Sequence, residues 1–91
     1  MNKLLITYDL VAPDTNSEEV NFVIKSLGSW AHIQESVWFV RSQLNYIEAR
    51  DSIKLVMHPR DRIFVAEITN AAWSTLSDEV TEFMLNQWGA P

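Results

Sequence analysis

Asp9 is the residue whose type and position best suit chemistry. It ends the segment Lys3–Asp9, which is rich in branched and aromatic residues and is predicted to be a strand. One carboxylate binds magnesium weakly, because this ion prefers octahedral oxygen ligands that include water and usually a phosphate. Two copies of Asp9 across a dimer axis would hold such an ion against a phosphodiester and activate a water. Alternatively, Asp9 only caps the turn ahead of Pro13.

Other residue types that support catalysis or metal binding are few. The chain has no cysteine, which excludes disulfides and thiolate chemistry. We expect His32 to be a partly buried polar residue on a strand and His58 to lie at a helix end, with no nucleophile and base nearby. A structural zinc site is therefore not expected. Two glycines cannot build a glycine-rich phosphate-binding loop.

Five of the seven basic residues lie between positions 41 and 62. They are Arg41, Arg50, Lys54, Arg60 and Arg62. If the fold gathers them on one side, they would contact the phosphates of a nucleic acid. Asp51 and Asp61 interrupt the series, so a solvated surface of mixed charge is the alternative. The net charge of −5 also differs from the positive charge that is typical of dedicated nucleic-acid-binding proteins.

One domain spanning residues 1–91 must position these side chains, because 91 residues leave no room for two. Besides the strand Lys3–Asp9, the pattern predicts a strand at Arg62–Ile68. Ala31–Arg41 is extended as well, and its polar centre makes it either two short strands or one bent strand.

Three helices are predicted from the 3.6-residue spacing of apolar residues. Asn16 or Ser17 caps the first helix, and Gly28 occupies its C-terminal cap. Asn45 caps the second helix, which Pro59 ends. The last helix ends near Gly89, and its apolar face comprises Leu76, Val80, Phe83, Met84 and Trp88.

This order of elements predicts an α+β fold, the ferredoxin-like βαββαβ sandwich with an added C-terminal helix. Two helices would cover one face of an antiparallel sheet. Alternation places Phe39 on the opposite face from Trp38 and Val40, so an aromatic side chain must be covered there. We expect a second copy of the chain to cover that face in a two-fold homodimer. Aromatic residues at such a position belong to a core or an interface, or form a base-stacking platform.

Nothing in the sequence indicates contact with a membrane. No apolar run approaches the ~18–20 residues that cross a bilayer. The N-terminal residues lead directly into the first strand without the layout of a signal peptide. We therefore expect a cytoplasmic protein.

Two short motifs resemble the CRISPR-associated Cas-two family. The first strand ends in Tyr8-Asp9-Leu10, and the second extended segment contains Gln34-Glu35-Ser36-Val37-Trp38-Phe39. Members of that family have a first strand that ends in Tyr-Asp and a second segment of the kind Gln-x-Ser-Val-Phe. The resemblance covers about residues 3–68, and the tail from Ala71 is similar to a divergent Cas-two-like subgroup.

The resemblance implies a ferredoxin-like homodimer that handles nucleic acid in antiviral defence. Such proteins bridge the integrase subunits of the spacer-acquisition complex, and some are magnesium-dependent endonucleases that act on RNA or double-stranded DNA. It also implies a metal-binding role for Asp9 and catalytic roles for Asp9, Tyr8 and Ser36. Family members carry basic residues soon after Tyr-Asp, whereas Val11–Glu19 has three acidic residues and no basic one. The alternative function is therefore a non-catalytic, acidic dimeric adaptor that binds a protein partner.

Overall fold

The computed structural model describes residues 1–87, which form an antiparallel sheet and three helices in an α+β arrangement, as predicted. The strands are β1 (Asn2–Asp9), β2 (Gly28–Gln34), β3 (Val37–Ser42) and β4 (Arg62–Glu67); the helices are α1 (Ser17–Ser26), α2 (Tyr46–Lys54) and α3 (Asp78–Gln87). Trp88 and Gly89, which we predicted to extend and end the last helix, lie outside the described residues. Within residues 1–87, no helix combines the length and the apolar character that a membrane crossing requires.

The sheet has the strand order β2-β3-β1-β4, and each neighbouring pair is antiparallel. The extended region around residues 31–41 is thus two strands, joined by a turn at Glu35 and Ser36, with an irregular register between His32 and Gln34. The central strand β1 pairs on both sides, and its side chains at Leu4, Ile6 and Tyr8 are buried. Alternation therefore places Asp9 on the other face.

Gly28 has a different role from the predicted helix cap. Leu27 is the C-terminal cap residue of α1, with a right-handed φ of −75°, and Gly28 begins β2. The backbones of β2 and β3 come so close here that a Cβ on Gly28 would lie 2.0 Å from the carbonyl oxygen of Arg41. Glycine is therefore required for strand packing, because only hydrogen fits in that space.

Helices α1 and α2 pack on the face of the sheet that carries Leu4 and Ile6. Their buried residues are Val20 and Ile24 in α1 and Ala49 and Ile53 in α2. Both predicted N-terminal caps form, because Asn16 accepts from Glu18 N at 2.9 Å and Asn45 accepts from Glu48 N at 2.8 Å. Asn45 and Glu48 complete a capping box, which satisfies two backbone donors at the start of α2.

The opposite side of the sheet, here called the α3 face, is covered by α3 over β2 and β3. Phe39 and Met84 are buried there with Ala31, and the ring of Phe83 lies edge-on to Phe39 at 6.2 Å. Phe39 is thus a core residue of one chain, which corrects the expectation that a second copy covers it. The half of the α3 face that β1 and β4 form is less covered by residues 1–87, because Phe64 is 62% exposed there.

Candidate functional site

Asp9 lies at the end of β1 on the α3 face, and its side chain is exposed. Its direct partner across the antiparallel ladder with β4 is Arg62, which is also exposed. Opposed residues of a ladder project from the same face at about 5 Å between their Cβ atoms. The sheet therefore anchors an acidic and a basic residue on neighbouring strands at the same face, an arrangement that the sequence alone did not predict.

These two residues line a groove at the end of the sheet. Ser36, in the turn between β2 and β3, lies beside them because its carbonyl oxygen accepts a hydrogen bond from Tyr8 N at 3.3 Å. The groove has a volume of about 250 Å³. We call it the Asp9 groove; the side chains that define it are Thr7, Asp9, Ser36, Val37, Arg62 and Phe64. It combines an anion, a cation and a hydroxyl with an apolar wall.

The structure does not bring the hydroxyl of Tyr8 into this groove. Tyr8 is 8% exposed and belongs to the core between the sheet and the helices. Its hydroxyl donates a 2.6 Å hydrogen bond to Asn21 Oδ1 in α1. Because consecutive residues of a strand project to opposite faces, Tyr8 and Asp9 act on different sides of the sheet. Tyr8 holds α1 in place and leaves Asp9 as the exposed member of the Tyr-Asp motif.

Asp61 is a structural carboxylate whose role the sequence analysis missed. Its Oδ1 accepts from Val11 N and Ala12 N at 2.8 and 2.9 Å, and its Oδ2 accepts from Thr15 Oγ1 at 2.6 Å and His58 N at 2.9 Å. Partial burial raises the pKa of Asp61, but these hydrogen bonds outweigh it and hold the pKa well below its usual range.

Asp61 therefore closes the turn that follows β1, the role that the alternative interpretation gave to Asp9. Its hydrogen bonds to Val11, Ala12 and Thr15 join the loop after β1 to the loop before β4. The sequence contained only a weak indication of this role, because an aspartate after Pro59-Arg60 is common in any turn. Three of its four partners, Val11, Ala12 and Thr15, lie more than 45 positions away along the chain.

The five predicted phosphate-binding residues do not form one patch. Arg41 is on the α3 face opposite Lys3, at the other end of β1 from the Asp9 groove. Arg50 and Lys54 lie on α2, on the other side of the sheet, and Arg50 forms an ion pair with Asp51 at 2.9 Å. Arg60 is exposed in the loop before β4. Of the five, Arg62 is the one that lines the groove with Asp9.

One acidic residue lies beside the groove, because Glu35 lines the end of the sheet next to Ser36. Asp14, Glu18 and Glu19 are exposed in the loop after β1 and in the first turn of α1. Glu35 repels a polyanion at the Asp9 groove, and Arg62 supplies the local attraction.

The donors of the groove fit one kind of magnesium site. Within residues 1–87, no three His, Asp or Glu side chains converge where they could hold a metal ion. Asp9 and Ser36 offer hard oxygen donors in an open groove. A single carboxylate from each chain is enough for a magnesium ion whose other ligands are water and a substrate phosphate. It is not enough for a metal ion whose ligands all come from the protein.

The histidines are not part of this groove. The ring of His32 stacks on Trp38 at 4.0 Å between centroids, and His32 is exposed instead of partly buried as we expected. Trp30 packs against Trp38 at 5.4 Å, and Lys25 Nζ lies 4.8 Å from the centre of the Trp30 ring. His58 Nδ1 accepts a hydrogen bond from Arg60 N in the loop after α2.

Comparison with known proteins identifies no relative of this chain. Searches against protein-family models, curated proteins and solved structures find no match to the chain. A functional assignment therefore depends on the geometry of the Asp9 groove and on the short motifs around Asp9 and Ser36.

Proposed function

We propose that this chain is a Cas-two-like protein that acts as a homodimer, binds nucleic acid in the Asp9 groove and cleaves a phosphodiester bond with magnesium. The strand order β2-β3-β1-β4 supports its ferredoxin-like part, because helices α1 and α2 pack together on one face of that sheet. Its proposed protein partner is a CRISPR integrase subunit. Its proposed place of action is the cytoplasm.

The observation that carries the proposal is the juxtaposition of Asp9 and Arg62 beside Ser36 in one groove. A guanidinium group binds phosphate oxygens through two parallel hydrogen bonds, which fixes the orientation of the phosphate. Arg62 therefore holds the scissile phosphate, and Asp9 lies on the neighbouring strand with its carboxylate toward the same phosphate. Ser36 donates its hydroxyl to the substrate from the turn.

Asp9 would hold magnesium, which would supply an activated water and stabilise the negative charge that develops. Asp9 contributes the protein's carboxylate to that site. Val37 and Phe64 line the groove beside these groups.

The part of the α3 face around Phe64 supports the homodimer. Within residues 1–87, Phe64 stays 62% exposed there, beside Thr7 and Val37. Burying this aromatic side chain between two copies would favour their association. A two-fold pairing over this part brings the second Asp9 groove next to the first, which supplies the second carboxylate.

A nuclease assay tests this function. Labelled duplex DNA and single-stranded RNA are incubated with the wild type, with Asp9→Asn and with Asp14→Asn, each in magnesium and in chelator. Asp14→Asn is the matched control, because it removes the same charge from an exposed position that does not line the groove. The proposal predicts cleavage that needs magnesium and Asp9 and that survives in Asp14→Asn. Cleavage that persists in Asp9→Asn contradicts it.

The acidic surface favours a second candidate, an adaptor that binds a basic protein partner. Asp14, Glu18 and Glu19 are exposed within one short segment of the chain, whereas the basic residues are dispersed. This function predicts no binding of nucleic acid even at low salt. It also predicts that a purified integrase subunit binds the wild type more tightly than a Glu18→Gln, Glu19→Gln double variant, and equal affinity for both would exclude it.

A further inference from the structure

The outer edge of β2 offers backbone hydrogen bonds to another strand. In the sheet of residues 1–87, β2 is an edge strand that pairs with β3 alone. Gly28, Ser29, His32 and Gln34 are exposed along it. Alternate residues of such a strand direct their N–H and C=O groups away from the sheet, where an extended chain can pair with them.

A groove runs along this edge between the two faces of the sheet. Trp30 and His32 line one side, and Val80, Phe83 and Glu79 of α3 line the other, around a volume of about 430 Å³. We call it the β2-edge groove. Trp30 is 39% exposed, so its ring is accessible to a partner. A strand added here has successive side chains on opposite sides, one set toward Trp30 and the other toward α3.

The charge of this groove selects a basic partner. Glu79 lines it, and α3 carries Asp78, Glu79 and Glu82 with no basic residue in its last turn.

We propose that the β2-edge groove binds an extended peptide segment that pairs with β2 and carries a lysine or arginine toward Glu79. Main-chain hydrogen bonds supply affinity, and alternate side-chain positions supply specificity. The residues on either side of the cation are apolar, because they project to the Trp30 and His32 side of the edge. This binding site is separate from the Asp9 groove and does not depend on the function proposed there.

Synthetic peptides test this site on the full chain. The probe is a fluorescently labelled, amidated peptide of sequence TTVRVTT, and its control replaces the arginine with glutamate. Binding is measured by fluorescence anisotropy to the wild type, Glu79→Gln and Glu82→Gln. Glu82→Gln is the matched control, because it removes the same charge from the same helix outside the groove. We expect Glu79→Gln to weaken binding about fivefold, Glu82→Gln to bind as the wild type, and the glutamate peptide to bind weakest.

Backbone methylation tests the strand pairing without altering the protein. Two further peptides carry N-methyl groups on alternate residues, one set for each edge of the peptide strand. One set must abolish binding and the other must preserve it, because only one edge of the added strand faces β2. Equal binding by both sets, equal losses in Glu79→Gln and Glu82→Gln, or no binding of TTVRVTT overturns the proposal. Dissociation of a chain dimer by the peptide also overturns it, since the edge would then be occupied by a second copy.

Discussion

Replacing Met84 with alanine should destabilise the chain far more than replacing its neighbour Leu85. Met84 is 2% exposed and packs with Ala31 and Phe39, whereas Leu85 is 49% exposed on the same helix. Truncating a buried methionine to alanine costs about 2–5 kcal/mol, and the small size of this cluster favours about 2–3 kcal/mol of unfolding free energy. For a domain of this size, that lowers the Tm by about 10–20 °C.

Leu85→Ala is the matched control for this prediction. It removes a similar volume from the same turn of α3, but half of that side chain is in water. The small loss of burial lowers the free energy of unfolding, and the higher helix propensity of alanine partly offsets it. The net loss is below about 1 kcal/mol. Urea unfolding followed by tryptophan fluorescence measures both variants. Equal, small effects would refute the conclusion that α3 covers the β2 and β3 half of the sheet within one chain.

Three further changes test other parts of the structure. Gly28→Ala should lower the urea midpoint by more than an exposed Ser29→Ala substitution, because the added Cβ meets the Arg41 carbonyl oxygen; similar midpoints would contradict the close approach of β2 and β3. Asp61→Asn should lower the free energy of unfolding at neutral pH. The difference from the wild type should shrink below about pH 4, because the hydrogen bonds that lower the pKa of Asp61 stabilise the fold only while its carboxylate is ionised. A deficit that is constant from pH 7 to about 2 would show that ionisation is irrelevant. Phe64→Ser should shift sedimentation toward the monomer, and an unchanged distribution would place the interface elsewhere.

The elements were predictable where local chemistry decides them. Asn16 and Asn45 precede amphipathic segments, and both cap helices in the structure. The branched and aromatic residues of Lys3–Asp9 likewise favour a strand, and β1 forms there with Leu4, Ile6 and Tyr8 buried. The start of β2 was less predictable, because Gly28–Trp30 is exposed at the sheet edge and lacks the apolar signal of a buried strand.

Long-range pairing was beyond the reach of the sequence. That Asp9 ends a strand was predictable, but its position opposite Arg62 depends on the register between β1 and β4, which tertiary packing sets. The same holds for Asp61, which accepts hydrogen bonds from Val11 and Ala12 in the distant loop after β1. Phe39 was placed correctly on the second face, yet the residue that covers it, Met84, is specified by how α3 folds back.

The most direct test of the central claim is the salt dependence of nucleic-acid binding. Labelled duplex DNA and single-stranded RNA are titrated with the wild type, Arg62→Gln and Lys54→Gln over a range of salt concentrations. Lys54→Gln is the control, because Lys54 is an exposed cation on α2, away from the Asp9 groove. We expect Arg62→Gln to weaken binding and to reduce the slope of log K against log salt by about 1, while Lys54→Gln changes neither. No binding at low salt, or equal losses in both variants, would contradict a phosphate site at Arg62.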